Sequence, residues 1–243
     1  MKNMKTKNKK EIKKEKTNKS TETPESTGSL EDMENTVLVI DNHENYSSWL
    51  ILEYKHSLSL WKNTIFTNVK DKKLEKELNN LGVKVYNESV CELAEDSNLG
   101  FCKSHKRENK IPTVCVLDPR AEKELTDEDF QGLDFIVIGG ILGYAEMKGR
   151  TTSLITDLLE ECSKKGMILL KKRNLGKKQL SIDIAVFVSK AVYLGAKLND
   201  IELTSEVEIE HPDGSATVLP YGYPIIDGKV IITPGLVEYL HKK

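Results

Sequence analysis

The chain has 243 residues, of which 38% are hydrophobic and 30% charged, and its net charge is −2. That length accommodates one α/β domain with a real core, or at most two small ones. The hydrophobic share is low for a globular chain, and the shortfall is concentrated at the start. Nine Lys and two Glu give residues 1–20 a charge of +7, which leaves −9 for the rest of the chain. Only Met1, Met4 and Ile12 are large and apolar there, too little to offset the entropy of ordering the segment. Residues 21–34 are rich in Ser, Thr and Glu. The expected organisation is therefore a disordered Lys-rich arm with an acidic linker (1–34) followed by one domain (35–243). The arm reads as a solubilising tail, or as a tether to RNA or ribosomes through phosphate contacts.

No run approaches the ~20 apolar residues of a membrane span, and the charged start has no apolar stretch of the secretory kind. Cys91, Cys102, Cys115 and Cys162 form no C-x-x-C pair and have no His at zinc-ligand spacing. A reduced, metal-free, cytoplasmic protein is expected.

In chain order, residues 36–40 (TVLVI) read as a buried strand. Residues 47–60 read as a Ser-capped helix with Trp49, Leu50, Leu52 and Tyr54 at helical spacing. A short strand at 64–67, a helix at 72–81 closed by Gly82, and a strand at 83–86 follow. Residues 95–110 are polar and irregular. Strands at 113–117 and 135–138 run into Asp118-Pro119-Arg120 and Gly139-Gly140. A helix at 151–165 ends at Gly166, a strand at 167–170 leads to a polar loop at 171–178, and a long helix spans about 181–194. The tail, 201–226, reads as a hairpin around Pro212-Asp213-Gly214, and Pro234 opens a last short helix. Alternating strands and helices predict an α/β fold, a mostly parallel sheet with helices on both faces. Its ligands should sit beyond the carboxyl ends of the strands.

Three loops at such ends are rich in special residues: 117–120 (LDPR), 139–143 (GGILG) and 173–179 (RNLGKKQ). The glycines lack the G-x-G-x-x-G spacing of a dinucleotide site and the G-K-[ST] of a phosphate loop. Bare backbone beside Leu142 and Leu175 suits an adenine ring with no phosphate to neutralise, as in a sulfonium cosubstrate. No Ser-His-Asp or Cys-His arrangement assembles. His43, His56, His105, His211 and His241 stand in polar contexts and are expected at the surface.

The segments 49–54 (WLILEY), 117–121 (LDPRA), 134–143 (DFIVIGGILG) with Arg150-Thr151, and 173–179 with Asp183 resemble, in order and spacing, an archaeal and eukaryotic branch of the SPOUT-class methyltransferases. The similarity covers about 37–240. The branch includes a protein-arginine methyltransferase acting on a small-subunit ribosomal protein. The resemblance implies a trefoil-knotted fold, a rare exception to unthreaded chains. It also implies S-adenosylmethionine as cosubstrate, bound by Leu117, Pro119, Gly139, Gly140, Ile141, Leu142, Gly143, Arg173, Leu175, Gly176 and Gln179. Arg150 and Arg173 would face the cosubstrate's carboxylate.

Glu53, Asp118 and Asp183 are the carboxylates inside the matched motifs, hence the candidates for assisting transfer to a guanidinium. Each also reads as local structure: Glu53 as a helix-surface charge, Asp118 as a turn residue before Pro119, Asp183 as a helix cap. The sequence departs from the family pattern at Tyr144, at Ser181-Ile182-Asp183-Ile184, and at Gly222 between Tyr221 and Tyr223. The implied acceptor is an arginine of a basic ribosomal protein, which suits the acidic domain. The alternatives are RNA methylation and a non-catalytic, cosubstrate-binding ribosome-associated module. Monomer and homodimer are both open.

Overall fold

A computed structural model of the protein describes residues 35–95, 111–143 and 149–242. The predicted arm and linker, nearly all of the predicted 95–110 loop, and Tyr144 lie outside the described residues.

Six strands form one parallel sheet. They are β1 (Val37–Asn42), β2 (Thr64–Thr67), β3 (Lys84–Val85), β4 (Thr113–Leu117), β5 (Phe135–Gly140) and β6 (Leu169–Arg173), in the order β3-β2-β1-β5-β4-β6. Alternation along each strand sends its residues to opposite faces. Leu38, Ile40, Cys115, Leu117, Ile136 and Ile138 pack on one side. There they meet α1 (Ser48–Leu60), α2 (Lys72–Asn80) and α5 (Ile182–Tyr193). Val37, Val39, Val114, Val116, Phe135 and Val137 pack on the other, against α3 (Val90–Glu95) and α4 (Asp157–Lys164). The continuous apolar runs of the sequence are thus strands buried on both faces, as a parallel sheet requires. Helices cover both faces, as predicted.

The helix ends follow their local chemistry. The Ser47 hydroxyl accepts from Leu50 N at 3.0 Å, and the Asp71 carboxylate accepts from Lys73 N and Leu74 N. Gly82, at φ +73°, carries the chain out of α2 in a left-handed turn that a Cβ would disfavour.

After α5 the chain builds a small C-terminal unit. Strands β7 (Val207–Glu210) and β8 (Ala216–Leu219) form the expected hairpin, followed by β9 (Ile225–Ile226), β10 (Lys229–Val230) and α6 (Leu236–Leu240). Its core, with Ile209, Leu219, Tyr223, Leu236 and Leu240, closes on Ile184 and Val188 of α5.

Three expectations are corrected. The strand placed at 167–170 is Leu169–Arg173, so part of the predicted polar loop is the sheet's edge. Its cations are tolerated because the edge faces solvent and each finds an acceptor: Lys171 Nζ donates to Asp129 O, Lys172 to Glu160, and Arg173 to Asp129. The helix placed at 151–165 begins as a wider π turn over Thr152–Thr156 before becoming α4. Helix α3 and the β9–β10 hairpin were not anticipated. The hairpin's turn, Asp227-Gly228, has both residues at positive φ (50° and 72°), and an Asp-Gly pair is the sequence signal for such a turn.

Gly140 pairs with Asn42 in the β1–β5 ladder. A Cβ there would meet Tyr54 Oη at 2.5 Å and the Asn42 Cα at 2.9 Å, so the side-chain position points into the packed seam between β5 and α1. Gly140→Val is therefore expected to destabilise the fold, by about 1–3 kcal/mol for overpacking, lowering the melting temperature by roughly 2–12 °C for a domain of this size. An unchanged melting curve would contradict the close approach.

Candidate cosubstrate and acceptor site

The carboxyl ends of β4, β5 and β6 lie together, with Leu117 opposite Arg173 in the β4–β6 register and Val116 opposite Val137 in β4–β5. A cavity of about 290 Å³ opens beyond them. Its walls come from all three predicted loops: Leu117, Asp118 and Pro119; Gly139, Ile141, Leu142 and Gly143; and Leu175, Gly176 and Gln179. The floor is Ile138 with Ala185 of α5, and Ser181 and Ile182 form the wall nearest α5. Apolar surface dominates, and the glycines leave main-chain groups open to a ligand.

Two residues predicted to bind do not line this cavity. Gly140 faces the core seam described above. Arg173 is held away by a fork: its Nε and Nη2 each donate at 2.6 Å to the two oxygens of Asp129. Burial opposes ionisation of Asp129, but Arg173, Thr126 N and Lys171 outweigh it and hold the carboxyl below its usual range. The pair anchors the end of β6 to the short 3₁₀ turn Asp127–Phe130. Asn174 continues the anchoring: its N donates to Lys123 O, its O accepts from Leu125 N, and its Nδ2 donates to Ala121 O. The chain leaving β6 thus runs against the loop leaving β4.

Of the two expected cations, Arg150 lines the cavity. Arg150 Nη1 donates to Glu44 Oε1 at 2.9 Å, and the same oxygen accepts from Leu142 N at 3.3 Å, which ties the second loop to the end of β1. Lys178 Nζ donates to the carbonyls of Leu203 and Thr204. Arg120, which the sequence reading passed over inside the LDPR motif, lines the cavity with its guanidinium over Gly149.

The three carboxylates have distinct settings. Asp118 Oδ1 accepts from Arg120 N and Thr152 Oγ1, and Oδ2 accepts from Thr156 Oγ1 at 2.7 Å. It is 2% exposed and joins the first loop to the π turn that starts α4. Glu53 is not a helix-surface charge. It is 2% exposed, and accepts from Trp49 Nε1 at 2.6 Å and from Ile182 N at 3.0 Å. A carboxylate of α1 thus satisfies a free N–H in the first turn of α5. Asp183 is wholly buried. Its Oδ1 accepts from Ser181 Oγ at 2.7 Å, and its Oδ2 from Thr233 Oγ1 at 2.7 Å while lying 2.7 Å from His56 Nδ1.

Glu53 and Asp183 therefore lie directly behind Ser181 and Ile182. Burial, followed by the charge of Asp183, raises the Glu53 pKa to about 8. Tyr223, also fully buried, is pushed above its usual range by burial and by Asp183 and Glu53. Its hydroxyl lies by Ser181 but makes no hydrogen bond of good geometry.

His56 corrects the expectation that the histidines are surface groups, since its side chain is only 10% exposed and touches a buried carboxylate. A signal existed: Glu53 and His56 are three apart on one helix and share a face. His105 lies outside the described residues. Tyr221 and Gly222 of the C-terminal unit bond to two of the loops that line the cavity. Tyr221 Oη donates to Gly143 O at 2.7 Å, and Gly222 N donates to Gln179 O at 2.9 Å.

The fold and cavity define an open parallel α/β domain with a small-molecule site at its strand ends, clasped by a C-terminal unit. Residues 30–243 match the family described as protein arginine N-methyltransferase SFM1-like, and the chain belongs to that family. The protein arginine N-methyltransferase SFM1 of Saccharomyces cerevisiae is 28% identical over 208 residues, covering 82% of this chain and 91% of that protein. Two crystal structures of the yeast arginine methyltransferase SFM1 superpose with TM-scores of 0.68. The complex with SAM is 28% identical, covering 86% of this chain and 90% of its own; the complex with SAH is 27% identical, covering 86% and 96%.

The Glu53 setting generates a pH prediction. Its carboxyl titrates near 4.5 when unfolded and at about 8 when folded, so between these values the folded state retains a proton that the unfolded state loses. This contribution to stability is fully present below about pH 4.5 and is lost as pH rises through about 8. Chemical denaturation of wild type and Glu53→Gln at pH 5 and pH 9 checks it. The difference between the two pH values should be smaller in Glu53→Gln, and equal differences would refute the shift.

Proposed function

We propose that this chain transfers a methyl group from S-adenosylmethionine to an arginine of a basic protein, with ribosomal proteins in the cytoplasm as the substrate class. The observation that carries this reading is the position of the buried Glu53–Asp183 pair, one residue behind the wall of an apolar, glycine-edged cavity.

The cavity suits the donor. Leu117, Ile138, Leu142, Leu175 and Ala185 offer apolar surface to a nucleobase, and main-chain groups of 139–143 and 175–180 can take its polar edge. Arg120 is the cation placed for a terminal carboxylate, through a charge-assisted hydrogen bond. When bound, the donor supplies an electrophilic methyl carbon on a sulfonium. The protein's part is to hold the partners in line and keep water out.

The acceptor explains the carboxylates. A guanidinium stays charged at neutral pH, with a pKa above about 12, and meets a second positive charge in the sulfonium. Negative charge must offset both. Asp118 has its lone pairs engaged by Arg120 N, Thr152 and Thr156, and acts here by positioning loops. Glu53 and Asp183 are the carboxyl groups that remain beside the cavity. A cation nearby lowers a carboxyl pKa, so the guanidinium's arrival would ionise Glu53. The charge of −9 on residues 21–243 suits a basic protein and is a poor match to an RNA backbone. Ile182, a departure from the family pattern, packs with the core and leaves its N–H on Glu53, so the site's wiring is kept.

Incubation of the protein with methyl-labelled donor and a ribosomal fraction tests the reading. Label should resist ribonuclease, yield to protease, and appear in methylarginine after acid hydrolysis. Arg120→Met should raise the donor KM about 10- to 100-fold, the cost of a hydrogen bond to a charged group. Label confined to RNA would overturn the arginine reading, and no label despite donor binding would favour a non-catalytic module.

A further inference from the structure

Methyl transfer needs a second ligand placed beside the donor. The strand order reverses at β1, with β2 and β3 on one side of it and β5, β4 and β6 on the other. Open α/β sheets hold ligands beyond the carboxyl ends of the strands at such a reversal. The donor cavity lies over the β4, β5 and β6 ends, which leaves the exits of β1 and β5 as the neighbouring place for an acceptor.

The chain there is held firmly. His43 N donates to Gly140 O at 3.0 Å, which locks the exit of β1 to that of β5. Asn42, 3% exposed, donates from Nδ2 to Glu44 O at 2.9 Å, and its Oδ1 accepts from Tyr54 Oη at 2.7 Å. Helix α1 thus supports the turn that presents Glu44. The Glu44 Oε1 accepts from Arg150 Nη1 and Leu142 N, and both of those residues line the cavity.

Glu44 also differs from the neighbouring carboxyl groups in access. Asp41, Glu53, Asp118 and Asp183 are at most 2% exposed, and Asp41 is engaged by Thr67, Val90 N and His43. Groups so buried act on a cation through the wall without bonding to it. The Glu44 side chain is 18% exposed, and it already carries a guanidinium, that of Arg150, itself 30% exposed.

We infer that Glu44 binds the guanidinium of the acceptor arginine and aims it at the donor. The inference rests on the arginine reading given above. The two carboxylate oxygens take the acceptor's Nε–H and one terminal N–H, which leaves the other terminal nitrogen to face the methyl group. Arg150 yields its place on Glu44 and turns toward solvent, so one ion pair replaces another and the carboxylate keeps a partner. A guanidinium fork matches the two oxygens, and a lysine ammonium does not, so the contact selects arginine as well as orienting it.

The alternative is that Glu44 only ties the 139–143 loop to β1. Glu44→Gln separates the two roles, since its amide oxygen can still accept from Leu142 N while the charge and one acceptor are lost. A lysine-flanked peptide with one arginine, and its twin with lysine at that position, are titrated into wild type and variant loaded with S-adenosylhomocysteine. Donor affinity, melting temperature and methylation of a ribosomal fraction are measured alongside. Glu44→Gln should melt within a few degrees of wild type and bind the donor within about twofold. Its affinity for the arginine peptide and its kcat/KM for the ribosomal acceptor should fall about 10- to 100-fold, the loss of a hydrogen bond to a charged group. Its preference for the arginine peptide over the lysine twin should disappear. Unchanged arginine-peptide affinity and kcat/KM in folded Glu44→Gln overturn the inference and leave the arginine reading standing. An equal loss of donor and acceptor affinity assigns Glu44 to the loop alone and also overturns it. Where Glu44→Gln fails to fold, Glu44→Asp and Glu44→Asn decide: the acid must bind the arginine peptide more tightly than the amide, and equal affinities overturn the inference. A wild type that labels no arginine refutes the proposed function and this inference with it.

Discussion

The site depends on one contact across the α1–α5 seam, the acceptance of Ile182 N by the Glu53 carboxylate. A helix start leaves several N–H groups without partners, and burying one unpaired costs about 1–3 kcal/mol. Here the first turn of α5 is buried, Ser181 spends its hydroxyl on Asp183, and the acceptor comes from another helix. That contact fixes where α5 begins and so where residues 175–181 must turn. The same contact places a carboxyl group in a site that disfavours its charge. Its raised pKa follows from burial and from Asp183, and a cation at the cavity would relieve both effects.

The outer elements hold this inner arrangement in place. The Arg173–Asp129 fork and the Asn174 bonds fix the chain as it leaves β6, Glu44 ties the 139–143 loop to the end of β1, and Tyr221 bridges from the C-terminal unit to Gly143. Each tie joins segments far apart in sequence. The cavity's loops are therefore held in place only when the sheet, α5 and the tail are all folded.

Periodicity was enough to read the sheet. Strands such as VLVI and TVCVL are apolar without alternation, and only a layer buried on both faces produces that pattern. It placed β6 two residues early and ended it at Leu170, because an edge strand lined with Lys171, Lys172 and Arg173 has the composition of a loop. The three special loops were legible from their glycines and from their places after strands. Which glycine faces the ligand was not. Gly139 and Gly140 are adjacent, and pleating sends one toward the cavity and the other toward Tyr54. The roles of His56, Thr233 and Tyr223 were hidden for a different reason. Their partner, Asp183, lies 127 and 50 residues away from His56 and Thr233. No local spacing reports such contacts.

The central claim is that the cavity between the 139–143 and 173–179 loops is where the methyl donor binds. A Cβ at Gly143 would meet Gln179 Nε2 at 2.4 Å and the Tyr221 ring at 2.6 Å, at the point where both loops and the C-terminal clasp converge. Calorimetric titration of S-adenosylmethionine into wild type and Gly143→Val, with melting curves recorded on both, is the most direct measurement. The account predicts saturable binding to wild type and an affinity at least about tenfold weaker, or ~1.4 kcal/mol, in a variant that still folds. Wild-type affinity in folded Gly143→Val would contradict it.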